Sequence, residues 1–82
     1  MHYVYLARCA DGSLYTGTCV DVQERAATHN SGKGAQYTRS RLPLKIIYTE
    51  EYGTLSEARK REAAVKKLSK VEKETLCYST PA

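Results

Sequence analysis

The 82-residue chain contains no tryptophan and no phenylalanine, so its seven tyrosines supply all of its aromatic bulk. A core of tyrosine, leucine, valine and isoleucine is modest, and each buried phenol needs a partner for its hydroxyl or contact with water. No run of about 18 apolar residues occurs, which leaves no candidate membrane-spanning helix. No basic-then-apolar leader opens the chain, and the expectation is a soluble, intracellular protein. Cysteine is scarce: Cys9, Cys19 and Cys77 are odd in number and lack C-x-x-C spacing. That points away from zinc or a disulfide framework and toward buried free thiols in a reducing compartment. Pairing of Cys9 with Cys19 across two expected strands is the less favoured alternative. The length fits a single domain over residues 1–82, with one small core burying roughly 60–65% of the unfolded chain's surface.

Acidic residues are outnumbered. Thirteen Lys and Arg against nine Asp and Glu give a net charge of +4, and eleven of the thirteen lie from Lys33 onward. This asymmetry suits a polyanion. A solvated helix face is the ordinary alternative, and charge alone does not choose.

What is present is organised around residues 3–20. Tyr3-Val4-Tyr5-Leu6-Ala7-Arg8-Cys9 and Leu14-Tyr15-Thr16-Gly17-Thr18-Cys19-Val20 are rich in β-branched and aromatic residues, with Asp11-Gly12 as a turn signal between them. A two-residue turn would put Arg8 opposite Tyr15 and leave Tyr5 and Tyr15 on opposite faces. A three-residue loop, Ala10-Asp11-Gly12, with Gly12 left-handed in a G1 bulge, pairs Cys9 with Ser13. Ala7 then faces Tyr15 and Tyr5 faces Gly17, so both phenols share one face and the missing side chain at Gly17 leaves a gap beside Tyr5. The bulged loop is the expected one.

Asp21-Val22-Gln23-Glu24 reads as an N-cap with Glu at the third position, opening a helix over residues 22–30 that stops near Gly32. Val22, Arg25, Ala26 and His29 fall on one face. Val22 and Ala26 want the core, which carries Arg25 and His29 to its edge. Arg25 could equally be an exposed residue paired with Glu24 or Asp21, and His29 a helix C-terminal histidine favoured by the macrodipole. Residues 31–41 read as a flexible basic loop whose Lys33, Tyr37, Arg39 and Arg41 resemble a phosphate-and-base contact segment. It lacks the spacing of a Walker-type loop. Pro43 marks entry to a third strand over residues 44–52.

Thr54-Leu55-Ser56-Glu57 is a capping box opening a helix over residues 55–68, with an apolar stripe of Leu55, Ala58, Val65 and Leu68. Glu62 lies on that stripe. A carboxylate facing the interior costs several kcal/mol unless a cation meets it. A salt bridge to Arg25 or Arg59 and a metal ligand are the two readings. Ser69-Lys70-Val71-Glu72 starts a further capping box and a short helix to about residue 76, and residues 79–82 are expected to fray.

Tyr3-Val4-Tyr5, then Tyr15-Thr16-Gly17, Arg25, His29 and Glu62, in that order, resemble the GIY-YIG nuclease superfamily, and most of all its small stand-alone, single-domain branch. The resemblance covers essentially the whole chain, including residues 30–35 and Lys66-Lys67-Leu68-Ser69. It implies an α/β (α+β) fold, a small three-stranded sheet flanked by about three helices, and phosphodiester cleavage with one divalent metal, Mg2+ or Mn2+. By position, Tyr5, Tyr15 and Gly17 match the motif residues, Arg25 the helix arginine, His29 the helix His or Tyr, and Glu62 the metal-binding glutamate. The chain departs from the pattern with Tyr-Val-Tyr for Gly-Ile-Tyr, Thr16 for Ile, Thr18-Cys19-Val20 after Gly17, and no Asn after Glu62.

The function so implied is a metal-dependent endonuclease acting on nucleic acid, with DNA the expected substrate in repair or recombination. Lys33, Tyr37, Arg39, Arg41, Lys66 and Lys67 would contact the nucleic acid, and a protein partner or self-association would supply targeting. The rival reading is a catalytically weak or inactive nucleic-acid-binding module on the same surface. Either Tyr5 or His29 could take the proton from water. A free phenol titrates near 10, so the first requires roughly 3–4 kcal/mol of differential stabilisation, whereas a histidine already suits neutral pH.

Overall fold

The structure is a computed structural model that describes residues 1–78. The expected fraying of residues 79–82 therefore lies outside the described residues. Strands β1 (His2–Arg8), β2 (Leu14–Cys19) and β3 (Lys45–Tyr52) form one antiparallel sheet in the order β2-β1-β3. Helices α1 (Val22–Thr28), α2 (Gln36–Arg39), α3 (Leu55–Lys66) and α4 (Lys70–Tyr78) surround it. No described helix is long and apolar enough to cross a membrane.

The hairpin loop sets the register. Cys9 N–H donates to Ser13 O (2.9 Å), and Gly12 takes φ of 85°, the left-handed conformation a G1 bulge requires. Tyr5 consequently pairs with Gly17 and Ala7 with Tyr15, as the bulged loop predicts. β1 is central and covered on both faces, so Val4, Tyr5, Leu6 and Ala7 are all buried. One face gathers Tyr5, Ala7, Cys9, Cys19 and Leu44, with Tyr15, Val22 and Ile46 packed around them. α3 packs against β1 and β2 and buries Ala58 and Val65. The three cysteines are free thiols.

Each cap performs as its sequence predicts. Asp21 accepts from Glu24 N–H (3.0 Å), Thr54 from Glu57 N–H (3.2 Å), and Ser69 from Glu72 N–H (3.1 Å). Glu72 reaches back to Ser69 N–H (3.0 Å), completing a reciprocal box. α4 is tied to the sheet by a two-pronged pair between Arg8 and Glu74.

Several expectations are corrected. α1 ends at Thr28, and His29–Lys33 form a wider π-type turn in which Gly32 takes φ of 84°. The basic segment is not a simple loop, because α2 forms inside it and makes four α-helices among the described residues. α3 ends at Lys66, two residues short of the expected limit, while α4 runs on to Tyr78. Leu55 is 41% exposed, so the buried side of α3 begins at Ala58.

Candidate active site

Register and the π-type turn together bring the hairpin tyrosines against His29. The gap beside Gly17 is filled by Tyr5 itself: a Cβ on Gly17 would lie 2.5 Å from the Tyr5 hydroxyl and 2.6 Å from Cζ. His29 approaches from the turn, its ring centroid 6.1 Å from that of Tyr5 and 5.5 Å from that of Tyr15, and the two phenol rings are 6.3 Å apart. Tyr5 Oη lies 2.9 Å from His29 Nε2. On the other side of the imidazole, Nδ1 lies 3.0 Å from Thr38 Oγ1, and the Thr38 hydroxyl donates to Ala35 O (2.8 Å). His29 is 2% exposed, so it stands within the core and not at its edge. His29 keeps helical dihedrals, with its N–H on Arg25 O and Ala26 O, so the α1 face extends to it, and the turn that follows folds back to bury the ring.

Two further residues hold His29 in place. Gly34 closes over the imidazole, where a Cβ would lie 2.2 Å from Nδ1 and 2.9 Å from His29 Cα. Asn30 binds the start of β3 like a strand partner, its Nδ2 donating to Leu44 O (3.0 Å) and its Oδ1 accepting from Leu44 N–H (2.8 Å).

The electrostatics favour a neutral imidazole beside a protonated phenol. Burial holds the Tyr5 hydroxyl well above the ordinary phenol value, and the neighbouring Tyr15 adds to the rise. The Arg25 guanidinium beside the hydroxyl pulls the other way without overcoming burial. Burial foremost, then Arg25, lowers His29 from the ordinary histidine value of 6.5. A ready-made Tyr5 phenolate at neutral pH is therefore disfavoured in the free protein.

Glu62 lies on α3, against the sheet, and is not joined to Tyr5, Tyr15, Arg25 or His29 by any hydrogen bond or ion pair among the described residues. Its partner is Lys66, at 3.3 Å one turn further on, in place of the Arg25 or Arg59 expected. The carboxylate is 21% exposed, so it is sheltered without being sealed. Lys66 connects it to the tyrosine side, because a depression of about 330 Å³ at the β2 edge is lined by Lys66, Lys73, Tyr15, Thr16 and Tyr37. Thr16 Oγ1 is the one buried side-chain oxygen lacking a partner among the described residues. Tyr37 stacks on Tyr15 at 5.9 Å between centroids, and Arg41 covers the Tyr37 ring at 4.0 Å. Arg41 also pairs with Asp11 (3.0 Å) and donates to Tyr37 O (2.7 Å), so it braces this stack. Arg39 donates to Gly34 O (3.2 Å), while Lys33 and Lys67 are exposed.

The family model described as the GIY-YIG catalytic domain matches residues 1–75. The chain belongs to the GIY-YIG family. Within this nuclease superfamily it is similar to small proteins of its own size. A UPF0213 protein of Halobacterium salinarum is 50% identical over 76 residues, covering 93% of this chain and 99% of that relative. One of Staphylococcus haemolyticus is 49% identical over 72 residues, covering 88% of each chain. Among solved structures, the solution structure of a UPF0213 protein from Bacillus halodurans has a TM-score of 0.58 at 48% identity, covering 92% of this chain and 80% of that one. A protein of E. faecalis gives 0.61 at 47% identity, covering 90% and 79%. Those names carry no activity. GIY-YIG nucleases generally use a divalent metal, and no cluster of three or more metal-binding side chains occurs among the described residues. A single carboxylate fits an ion such as Mg2+ that keeps most of its water shell, and it does not fit a paired-metal centre.

Sequence reasoning missed Thr38, Gly34 and Asn30. Their partners come from the fold-back after the π-type turn, which no period of 2 or 3.6 marks.

Proposed function

We propose that this GIY-YIG chain is an endonuclease that hydrolyses phosphodiester bonds in nucleic acid, DNA foremost, with one Mg2+ or Mn2+ held by Glu62 and water. The observation that carries this reading is the convergence of the Tyr5 hydroxyl on His29 Nε2 with Arg25 alongside, directly over Gly17. A phenol, a neutral imidazole and a guanidinium in one place supply proton transfer and anion binding together. When bound, the metal would neutralise charge on the scissile phosphate.

The chain's own residues divide the remaining work. Arg25 offers a planar fork to the phosphate oxygens as charge builds on them. Arg25 is an exposed residue whereas Tyr5 is 1% exposed, so the guanidinium meets phosphate at the surface and water has to reach the hydroxyl from that side. Water then attacks phosphorus as its proton passes to the Tyr5 oxygen and the phenol's own proton passes to His29 Nε2. The new O–P bond replaces the P–O bond to the leaving oxygen, whose electron pair takes a proton from solvent. No free phenolate accumulates, consistent with the raised pKa of Tyr5. Tyr15 supports the imidazole edge-on and orients it. Tyr37, Lys66 and Lys67, with Lys33 and Arg39 beyond, offer stacking and phosphate contacts along the β2 edge.

The test is nicking of plasmid and branched DNA with Mg2+ or Mn2+, comparing wild type with Glu62→Ala and Arg25→Ala. Both variants are expected to lose roughly a hundredfold or more in rate, the range for removing a preorganised charge-stabilising group. Salt-sensitive binding without cleavage, indifferent to Glu62→Ala, would instead identify a binding module. Equal nicking by the Glu62 variant would trace the activity to a contaminant.

A further inference from the structure

The geometry points to Thr38 as the positioning residue that sets the tautomer of His29. This inference rests on the nuclease reading for its purpose, but not for its structural basis. Thr38 is fully buried, so no water can stand in for its hydroxyl. Two groups meet Oγ1: Ala35 O at 2.8 Å and His29 Nδ1 at 3.0 Å. Ala35 O also accepts from the Thr38 and Arg39 N–H groups (3.0 and 3.2 Å), but a carbonyl can only accept, and two oxygens 2.8 Å apart need a hydrogen between them, so the hydroxyl's single hydrogen goes to Ala35 O. Toward the imidazole Oγ1 is then an acceptor, and Nδ1 must carry the ring hydrogen. In a neutral imidazole that leaves Nε2 bare, and Nε2 is the nitrogen 2.9 Å from Tyr5 Oη. Tyr5 therefore donates to Nε2, and a directed chain runs from Tyr5 O–H through His29 and Thr38 to Ala35 O.

The opposite tautomer would reverse the first link. With hydrogen on Nε2, the Tyr5 oxygen would become the acceptor and the imidazole could not receive the phenol's proton. Thr38 touches neither phosphate nor water, and its effect is exerted through the imidazole. α2 serves this purpose: its first turn places the Thr38 hydroxyl over Ala35 O, and Gly34 lets the chain close to within contact of the ring.

Ring-nitrogen NMR of the full chain tests this without substrate, with His2→Gln separating the two histidines. Wild type and Thr38→Ser are expected to show protonated Nδ1 and bare Nε2, whereas Thr38→Val shows protonated Nε2 or a mixture. In nicking assays kcat of Thr38→Val falls by roughly a hundredfold, the lower end of what a positioned proton-transfer group contributes, with KM held within about twofold and Ser restoring the rate. Bare Nδ1 in the wild-type spectrum overturns the proposal even if the valine variant fails to fold. So does a valine variant with the wild-type spectrum and rate, or a serine variant as impaired as valine. If the wild type does not nick at all, the nuclease reading fails, and the spectrum still decides whether Thr38 directs the ring hydrogen.

Discussion

Protonation of His29 separates two ways of activating water at this site. Were Tyr5 to act as a pre-formed phenolate, its raised pKa would make the rate climb about tenfold per pH unit across neutrality, because the reactive fraction would be small and growing. In the relay through His29 the rate instead depends on a bare Nε2. Adding a proton there at low pH removes the acceptor, so activity falls on acidification. Burial and Arg25 lower the His29 pKa, which puts that acid limb below 6.5 and leaves the rate level from there through neutrality. A pH profile of nicking kcat decides between them, and a continuous rise through neutral pH would exclude the relay. At this scale the sequence was informative where side chains alternate: period-2 spacing and one glycine in the turn were enough to bring Tyr5, Tyr15 and Gly17 together. For His29 it marked the core-facing side of α1 but not the depth, because Gly34 and Thr38, which close on the ring, come from the fold-back after the turn.

The π-type turn is the element on which the site depends, and it is held from outside itself. Asn30 makes two hydrogen bonds to Leu44, whose side chain is 4% exposed, so the backbone at the start of β3 is anchored by a side chain on the turn. Replacing Asn30 with Ala leaves the Leu44 N–H and C=O unpaired in a partly buried position. The expected cost is about 1–3 kcal/mol in urea unfolding. Nicking should fall alongside, because His29 is the neighbouring residue. Asn30→Asp keeps the acceptor for Leu44 N–H but loses the donor, and should be intermediate. An alanine variant as stable as wild type would show that the turn holds itself. The chain's only asparagine was visible in the sequence, but its partner was not: a residue fourteen positions away becomes a neighbour only once β3 has joined the sheet. The caps of α1, α3 and α4 were legible for the opposite reason, since each donor and acceptor lies within one turn of its partner.

Over the whole molecule, a count of basic residues overstates the surface available to a polyanion, because several cations are committed internally. Arg61 donates through Nε (2.8 Å) and Nη2 (3.0 Å) to Glu50, which also accepts from the hydroxyls of Tyr48 and Tyr52. Arg8 is engaged with Glu74, and Arg41 with Asp11. Lys33 and Lys67 are exposed lysines, and Lys73 shares the depression at the β2 edge with Tyr15 and Tyr37. These two groups should respond differently to salt. If Lys33, Lys67 and Lys73 each neutralise a phosphate, alanine at each should flatten the plot of log K against log salt for duplex DNA by about 0.9. Arg61→Ala should leave that slope unchanged while lowering stability, because it leaves Glu50 partly buried without its cation. Binding isotherms across a salt series, paired with urea titrations, separate the two effects. A slope that changes as much for Arg61 as for Lys67 would mean that Arg61 also neutralises a phosphate and that its pairing with Glu50 does not withhold it from DNA.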